Sequence, residues 1–203
     1  MAVSNLTADA DVFTSNAYLV TGEQTVLVDV GAMPGVVEAV RERTDVLDAV
    51  VLTHQHADHV DQLDAVVDAF APAVYAYADH EHRTQALADG DAVTIGDETF
   101  EAVHTPGHAE DHLAFVSETT LFSGDVVVYE DAAFSGGSFG RTDMPGQSRE
   151  TLIESIDRLL DSMPDDVAHL YAGHGEPFEG DVRSIVTRAL ERAERREPKY
   201  SDE

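Results

Sequence analysis

Short apolar segments of strand character alternate with amphipathic helical segments along the chain. That order predicts an α/β (α+β) fold, with two packed mixed sheets carrying helices on their outer faces. Two further observations support it. No linker-like stretch and no internal repeat divides the 203 residues, and 43% of them are hydrophobic and 26% charged, so the chain can bury a substantial core. Residues 1–203 are accordingly expected to form one domain.

The elements follow in order. Asn16 to Val20 and Thr25 to Val30 flank a Gly22-Glu23 turn and read as a hairpin. Pro34 opens a helix expected to run to Arg43, and the β-branched run Ala49 to Leu52 is a buried strand. Val60 to Phe70 has helical apolar spacing, Ala73 to Tyr77 reads as a strand, and Asp79 to Ala88 reads as a helix ending at Gly90. Thr99 to Val103, Leu113 to Val116 and Thr120 to Phe122 are expected strands, each closed by turn residues. Ser135 to Arg141 is rich in glycine and reads as a loop. Ser148 is placed to cap a helix whose periodic Leu and Ile run from Thr151 to Leu160. Val167 to Tyr171 is the last strand, and Val182 to about Arg196 the last helix.

The chemistry is concentrated in Thr53-His54-Gln55-His56-Ala57-Asp58-His59, directly after the Ala49–Leu52 strand. Three imidazoles and a carboxylate fall within six residues, in a chain with 10 histidines in all. Neutral imidazole and carboxylate are the ligand set preferred by zinc and its divalent neighbours. The alternating His54 and His56 point the same way from an extended backbone, whereas Asp58 and His59 lie where the chain turns into a helix. That suits two metals side by side. The competing reading, a histidine-rich surface loop, makes less of the clustering. Three more candidates follow expected strands beside small residues: His108 in Thr105-Pro106-Gly107-His108, Asp125 after Ser123-Gly124, and His174 between Gly173 and Gly175. Singly, each is better explained as a turn residue; in this order they reinforce one another.

Forty acidic residues against 12 basic ones give a formal charge of −28 and a pI near 4.3. The acids are spread along the chain and Lys199 is the only lysine, a surface expected of a protein working in concentrated salt, hence a halophilic source. Such a surface disfavours polyanions. The absence of cysteine excludes disulfides and thiolate ligands. With no apolar stretch of membrane-spanning length and no signal pattern, a cytoplasmic enzyme without membrane contact is expected.

The His-x-His-x-Asp-His run followed by His108, Asp125 and His174 resembles the metallo-β-lactamase fold superfamily. The resemblance implies an αββα sandwich with a dinuclear site at one edge of the paired sheets. It further implies that His54, His56 and His108 hold one metal, that Asp58, His59 and His174 hold the other, and that Asp125 bridges them. The cofactors would be two divalent ions, zinc first, with iron or manganese as the other candidates. Gln55 stands where flavodiiron members have a carboxylate, which argues against oxygen reduction. Phe139-Gly140-Arg141-Thr142-Asp143-Met144-Pro145-Gly146 before a helix, and the Thr-Pro-Gly-His turn, resemble the glyoxalase II-like (hydroxyacylglutathione hydrolase-like) branch. The resemblance stops short of the extra helical domain with which classical glyoxalase II grips glutathione, and the lysines that anchor its thiol carrier are missing. Asp29, after the run Leu27-Val28, resembles the aspartate that lies behind the histidines, or else caps a turn. Arg141 either contacts an anionic substrate or pairs with Asp143. His112 lies either behind the ligands or on the surface.

These readings converge on a thioester hydrolase in which two ions share a hydroxide, with Asp58, His59 and Asp125 as the catalytic residues and a small-molecule thioester as substrate. A thiolate, with a parent pKa of about 8.5, leaves without a general acid. The main alternative is a phosphodiesterase or small nuclease with the same ligand set, whose partner would be a nucleic acid; the acidic surface and the lack of a basic stripe count against it. β-Lactam hydrolysis, a single-iron persulfide dioxygenase and a vestigial metal-binding module are the remaining alternatives.

Overall fold

The computed structural model describes residues 1–198; the last five residues of the domain expected over 1–203 lie outside them. Two six-stranded sheets face each other. The first contains β1 (Ala2–Asn5), β2 (Tyr18–Thr21), β3 (Val26–Val28), β4 (Ala49–Val51), β5 (Ala73–Ala76) and β6 (Gln85–Ala86), in that spatial order. Its β1, β2 and β3 are antiparallel, and β3 through β6 run parallel. Between β3 and β4 lies α1 (Val36–Arg41); between β4 and β5 lie α2 (Ala57–Val60) and α3 (Leu63–Phe70). The second sheet is built from β7 (Ala92–Ile95), β8 (Glu98–His104), β9 (Leu113–Val116) and β10 (Thr120–Gly124), with two later strands, His169–Ala172 and Phe178–Glu179, beyond β10. A separate ribbon pairs β11 (Val127–Glu130) with β12 (Ser135–Phe139). Helix α4 (Arg149–Ser162), strands β13 (His169–Ala172) and β14 (Phe178–Glu179), and helix α5 (Val182–Glu194) complete the fold.

Strand alternation explains the layering. Leu19, Leu27 and Val50 turn to the outer face of the first sheet and pack with Val36, Val40, Leu63 and Val66 of α1 and α3. Their neighbours Tyr18, Val20, Val26, Val28 and Val51 turn inward to meet Phe100, Leu113, Phe115 and Phe122 of the second sheet. A strand buried on both faces must be apolar throughout, so Ala49 to Leu52 carries no polar alternation. On the far side, Leu152, Ile156 and Leu159 of α4 and Val182, Val186 and Ala189 of α5 cover Val103, Ala114, Val116 and Leu121. The result is the expected αββα sandwich. No helix among the described residues is long and apolar enough to cross a membrane.

Local expectations hold where chain-local physics decides. Ser148 caps α4 by accepting from the Thr151 amide at 3.2 Å, and Asp181 caps α5 by accepting from the Ser184 amide at 3.0 Å. Two expectations are overturned. Asp79 to Ala88 is not a helix. The Thr84 amide bonds the Val74 carbonyl and the Leu87 amide the Ala76 carbonyl, so the open edge of β5 captures the segment as β6. Ser135 to Phe139 is a strand rather than a loop, because β11, itself unforeseen, supplies its ladder. The helix expected over Val60 to Phe70 also begins earlier and breaks at Asp61-Gln62, where the Gln62 amide bonds the Gly31 carbonyl.

Candidate metal centre

Strand β4 continues through Leu52 into Thr53 and His54, and α2 begins directly after His56. His54 and His59 are therefore aimed inward and buried, while His56 and Asp58 face the opening. From the second sheet come His108, after β8, Asp125, after β10, and His174, after β13. All seven expected ligand residues meet at this edge.

Hydrogen bonds fix which ring nitrogens are free to bind a cation. The Arg141 carbonyl can only accept, so His108 donates from Nδ1 at 3.0 Å and presents a bare Nε2. Thr53 Oγ1 donates to Asp29 Oδ2 at 2.7 Å and thus accepts from His54 Nδ1 at 3.1 Å, which leaves His54 Nε2 bare as well. Both bare nitrogens lie 3.0 Å from His56 Nδ1. At most one proton can be shared among these three atoms, so lone pairs oppose one another unless a cation sits between them.

The second group sets carboxylates among its nitrogens. His59 donates from Nδ1 to Asp29 Oδ2 at 2.8 Å, and its buried Nε2 has no hydrogen-bond partner; nor has the buried Asp125 Oδ1, 3.5 Å away. His174 Nε2 lies 3.0 Å from Asp58 Oδ2 and 3.5 Å from Asp125 Oδ2, and His108 Nε2 lies 3.4 Å from that same oxygen. Donors about 2.1 Å from a tetrahedral zinc would be about 3.4 Å apart, which matches these spacings. The donor set, all nitrogen and oxygen, fits a divalent metal. Asp125 reaches both groups, His108 on one side and His59 and His174 on the other.

Buried polar contacts set the surrounding electrostatics. Burial pushes His54, His108 and His112 below the ordinary imidazole range, so they are neutral at pH 7. Burial also acts to lower His59, but Asp29 and Asp125 outweigh it and hold its imidazolium well above that range. His174 is raised likewise, against its burial, by Asp125 and Asp58. Asp125 is held well below the ordinary carboxylate range by His59 and His174, although burial opposes this. Asp58 is lowered too, its burial outweighed by His174.

The supporting residues find definite places. Asp29, 2% exposed, accepts from the Thr53 amide, the Thr53 hydroxyl and His59. It lies behind the histidines. His112 is fully buried, not on the surface: its Nε2 accepts from the Asp125 amide at 2.9 Å and its Nδ1 donates to Thr105 Oγ1. Arg141 pairs with Asp143 through Nε and Nη2 at 2.9 and 2.8 Å. His82, within the segment expected to be helical, instead bonds Asp64 at 2.7 Å from a turn.

Several residues at the site escaped sequence reasoning. A Cβ on Gly173 would lie 2.8 Å from His59 Cε1 and closer still to Asp125 Oδ1, so only glycine fits there. Asn16 ties the His174 turn down, its Nδ2 bonding the carbonyls of Ala172 and Gly175. Phe13 stacks on the His174 ring at 5.4 Å, and with Met144 it lines a cavity of about 700 Å³ whose floor is His56, Asp58, Asp125 and His174. The glycine beside His174 was a visible signal; Asn16, Phe13 and Met144 carried none.

Residues 10–92 match the Metallo-beta-lactamase superfamily. A hydroxyacylglutathione hydrolase from Hydrogenovibrio crunogenus is 33% identical over 153 residues, 73% of this chain and 52% of that protein. The chain thus spans about half the length of the curated relatives it matches. Among solved structures, the BLEG-1 B3 metallo-beta-lactamase superposes with a TM-score of 0.66 at 29% identity, over 81% of this chain and 88% of that one. TTHA1623, solved in a di-iron-bound form, superposes with a TM-score of 0.67 at 28% identity, over 88% and 98%. With the sandwich, the metal-fitting edge and these likenesses taken together, the chain belongs to the metallo-beta-lactamase superfamily.

Proposed function

We propose that this chain is a metal-dependent hydrolase of small thioesters. The observation that carries the reading is the set of opposed, proton-poor nitrogens of His54, His56 and His108 beside the orphaned Asp125 oxygen at the sheet edge, which calls for bound cations. His54, His56 and His108 would hold one ion, Asp58, His59 and His174 a second, and Asp125 would serve both; the di-iron form of TTHA1623 supports two. Ions held there would lower the pKa of a shared water to about 7 and polarise the scissile carbonyl.

The protein's own groups do the rest. Asp29 and Thr53 lock the tautomers of His59 and His54, and the Arg141 carbonyl locks that of His108. His112 fixes the backbone at Asp125. Asp58 and Asp125, both ionised well below neutrality, supply negative charge that offsets the cations. A departing thiolate is stable enough to need no proton donor. Phe13 and Met144 give the mouth of the cavity an apolar lining. The curated relatives named hydroxyacylglutathione hydrolase favour a thioester over other acyl substrates.

A second reading, β-lactam hydrolysis, draws on the likeness to BLEG-1. One assay separates them: thiol release from a lactoyl thioester, and ring opening of a chromogenic cephalosporin, each with and without chelator. Chelator-sensitive thiol release with little ring opening is expected. The absence of metal-dependent release from any small thioester would sink the proposal.

A further inference from the structure

Two of the most exposed large apolar side chains among the described residues, Phe13 at 79% and Met144 at 50%, come from distant segments to the same cavity. Exposed apolar surface gathered at one opening marks a place where something apolar binds. Val128, Ala132 and Ala133 continue the wall, and the volume of about 700 Å³ suits a small organic ligand. Because Phe13 stacks on His174, this apolar surface reaches the donor cluster itself.

Charge at the same opening points one way. Among the described residues lining it, Arg141 is the one arginine or lysine, and Asp143 already pairs with one edge of its guanidinium through two hydrogen bonds. Asp131 adds a carboxylate to the rim; it is anchored there by accepting from the Ala133 and Phe134 amides and the Ser138 hydroxyl. The chain around it carries a formal −28. Beyond any cations held at the donor cluster, the carboxylates of a carrier thiol such as glutathione would meet Asp131 and this surrounding charge at the mouth.

We propose, resting on the thioesterase reading, that the cavity selects uncharged, apolar thioesters over anionic ones, with Phe13 and Met144 contacting the apolar part. The test titrates the zinc-loaded protein by calorimetry with two thioethers that cannot be hydrolysed: S-hexyl-N-acetylcysteamine, which is neutral, and S-hexylglutathione, which is anionic. Hexanoyl thioesters of the same two thiols are assayed in parallel. The neutral thioether is expected to bind at least about tenfold more tightly in dilute buffer, with the ratio narrowing in molar salt as screening weakens repulsion. Phe13→Ala should weaken it about tenfold, the scale of losing a large apolar contact, with metal content unchanged. Equal or tighter binding of the glutathione thioether, or indifference to Phe13→Ala, would overturn the proposal. Neutral preference without turnover of either thioester would overturn the thioesterase reading and uphold the selectivity; turnover with glutathione preferred would do the reverse.

Discussion

Replacing Asp29 by Asn probes how far the centre depends on a residue that does not itself face the cavity. Asp29 sits at φ 55°, a left-handed conformation that Asn adopts as readily as Asp, so the backbone is undisturbed. The carboxylate accepts three hydrogen bonds: from the Thr53 amide at 2.8 Å, the Thr53 hydroxyl at 2.7 Å and His59 Nδ1 at 2.8 Å. An Asn oxygen can keep the first, but its amide then confronts the other two donors. Relief requires His59 to move its proton to Nε2, the atom aimed at Asp58 and Asp125. It also requires the Thr53 hydroxyl to turn towards His54, whose Nδ1 proton then has no acceptor. One isosteric change therefore upsets two ligand tautomers. A lost hydrogen bond to a charged group is worth about 1.5–3 kcal/mol. Loss of a partner behind a ligand histidine costs about 10–100-fold in metal affinity, or roughly 1.4–2.8 kcal/mol, and the two scales agree. Competition for zinc against a chromogenic chelator at pH 7 measures the effect directly. Affinity within about twofold of wild type would refute the tautomer argument.

Other outcomes follow from the same geometry. Gly173→Ala drives a methyl group into His59 and Asp125, and overpacking of this kind costs about 1–3 kcal/mol; thermal melts and metal analysis should show a loss in both, and an unaffected variant would contradict the steric account. Asp125→Ala should lower metal content from both groups and abolish chelator-sensitive turnover, as read by mass spectrometry and thiol release. The pH dependence of the metal-free protein has a definite sign. His59 and His174 have folded-state pKa values above the unfolded value near 6.5, so their contribution is complete below that value and is lost as pH rises through the folded ones. The depressed His54, His108 and Asp125 contribute fully above about pH 6.5 and add no slope there. Melts from pH 6.5 to 9 should therefore show the metal-free protein falling in stability relative to the metal-loaded one, and a constant gap would count against it.

What the sequence disclosed depended on how local the deciding physics was. The ligands of His54 to His59 were legible because one strand end and one helix start carry them all. Caps at Ser148 and Asp181 are decided within one turn, and only the first drew notice. Ser135 to Phe139 and Asp79 to Ala88 misled because their structure comes from strands that accept their backbone groups, β11 and β5. Asp29 and His112 were visible as candidates, yet their tasks depend on Thr53, His59 and the Asp125 amide, which the fold alone brings near. Phe13 and Met144 could not be seen, since exposure and shared position at one opening exist only in three dimensions.

The cluster is also a mechanical junction. His54, His56, Asp58 and His59 ride on one sheet, while His108, Asp125 and His174 ride on the other, so any occupant would add a rivet to two layers joined by apolar contact and by a few hydrogen bonds, such as those from the Leu113 amide to Thr53 and from Asn16 to Ala172. Withdrawing it should let this rim gape, with amide protons near Gly124 and Gly173 exchanging faster, while the far ends of the strands stay shut.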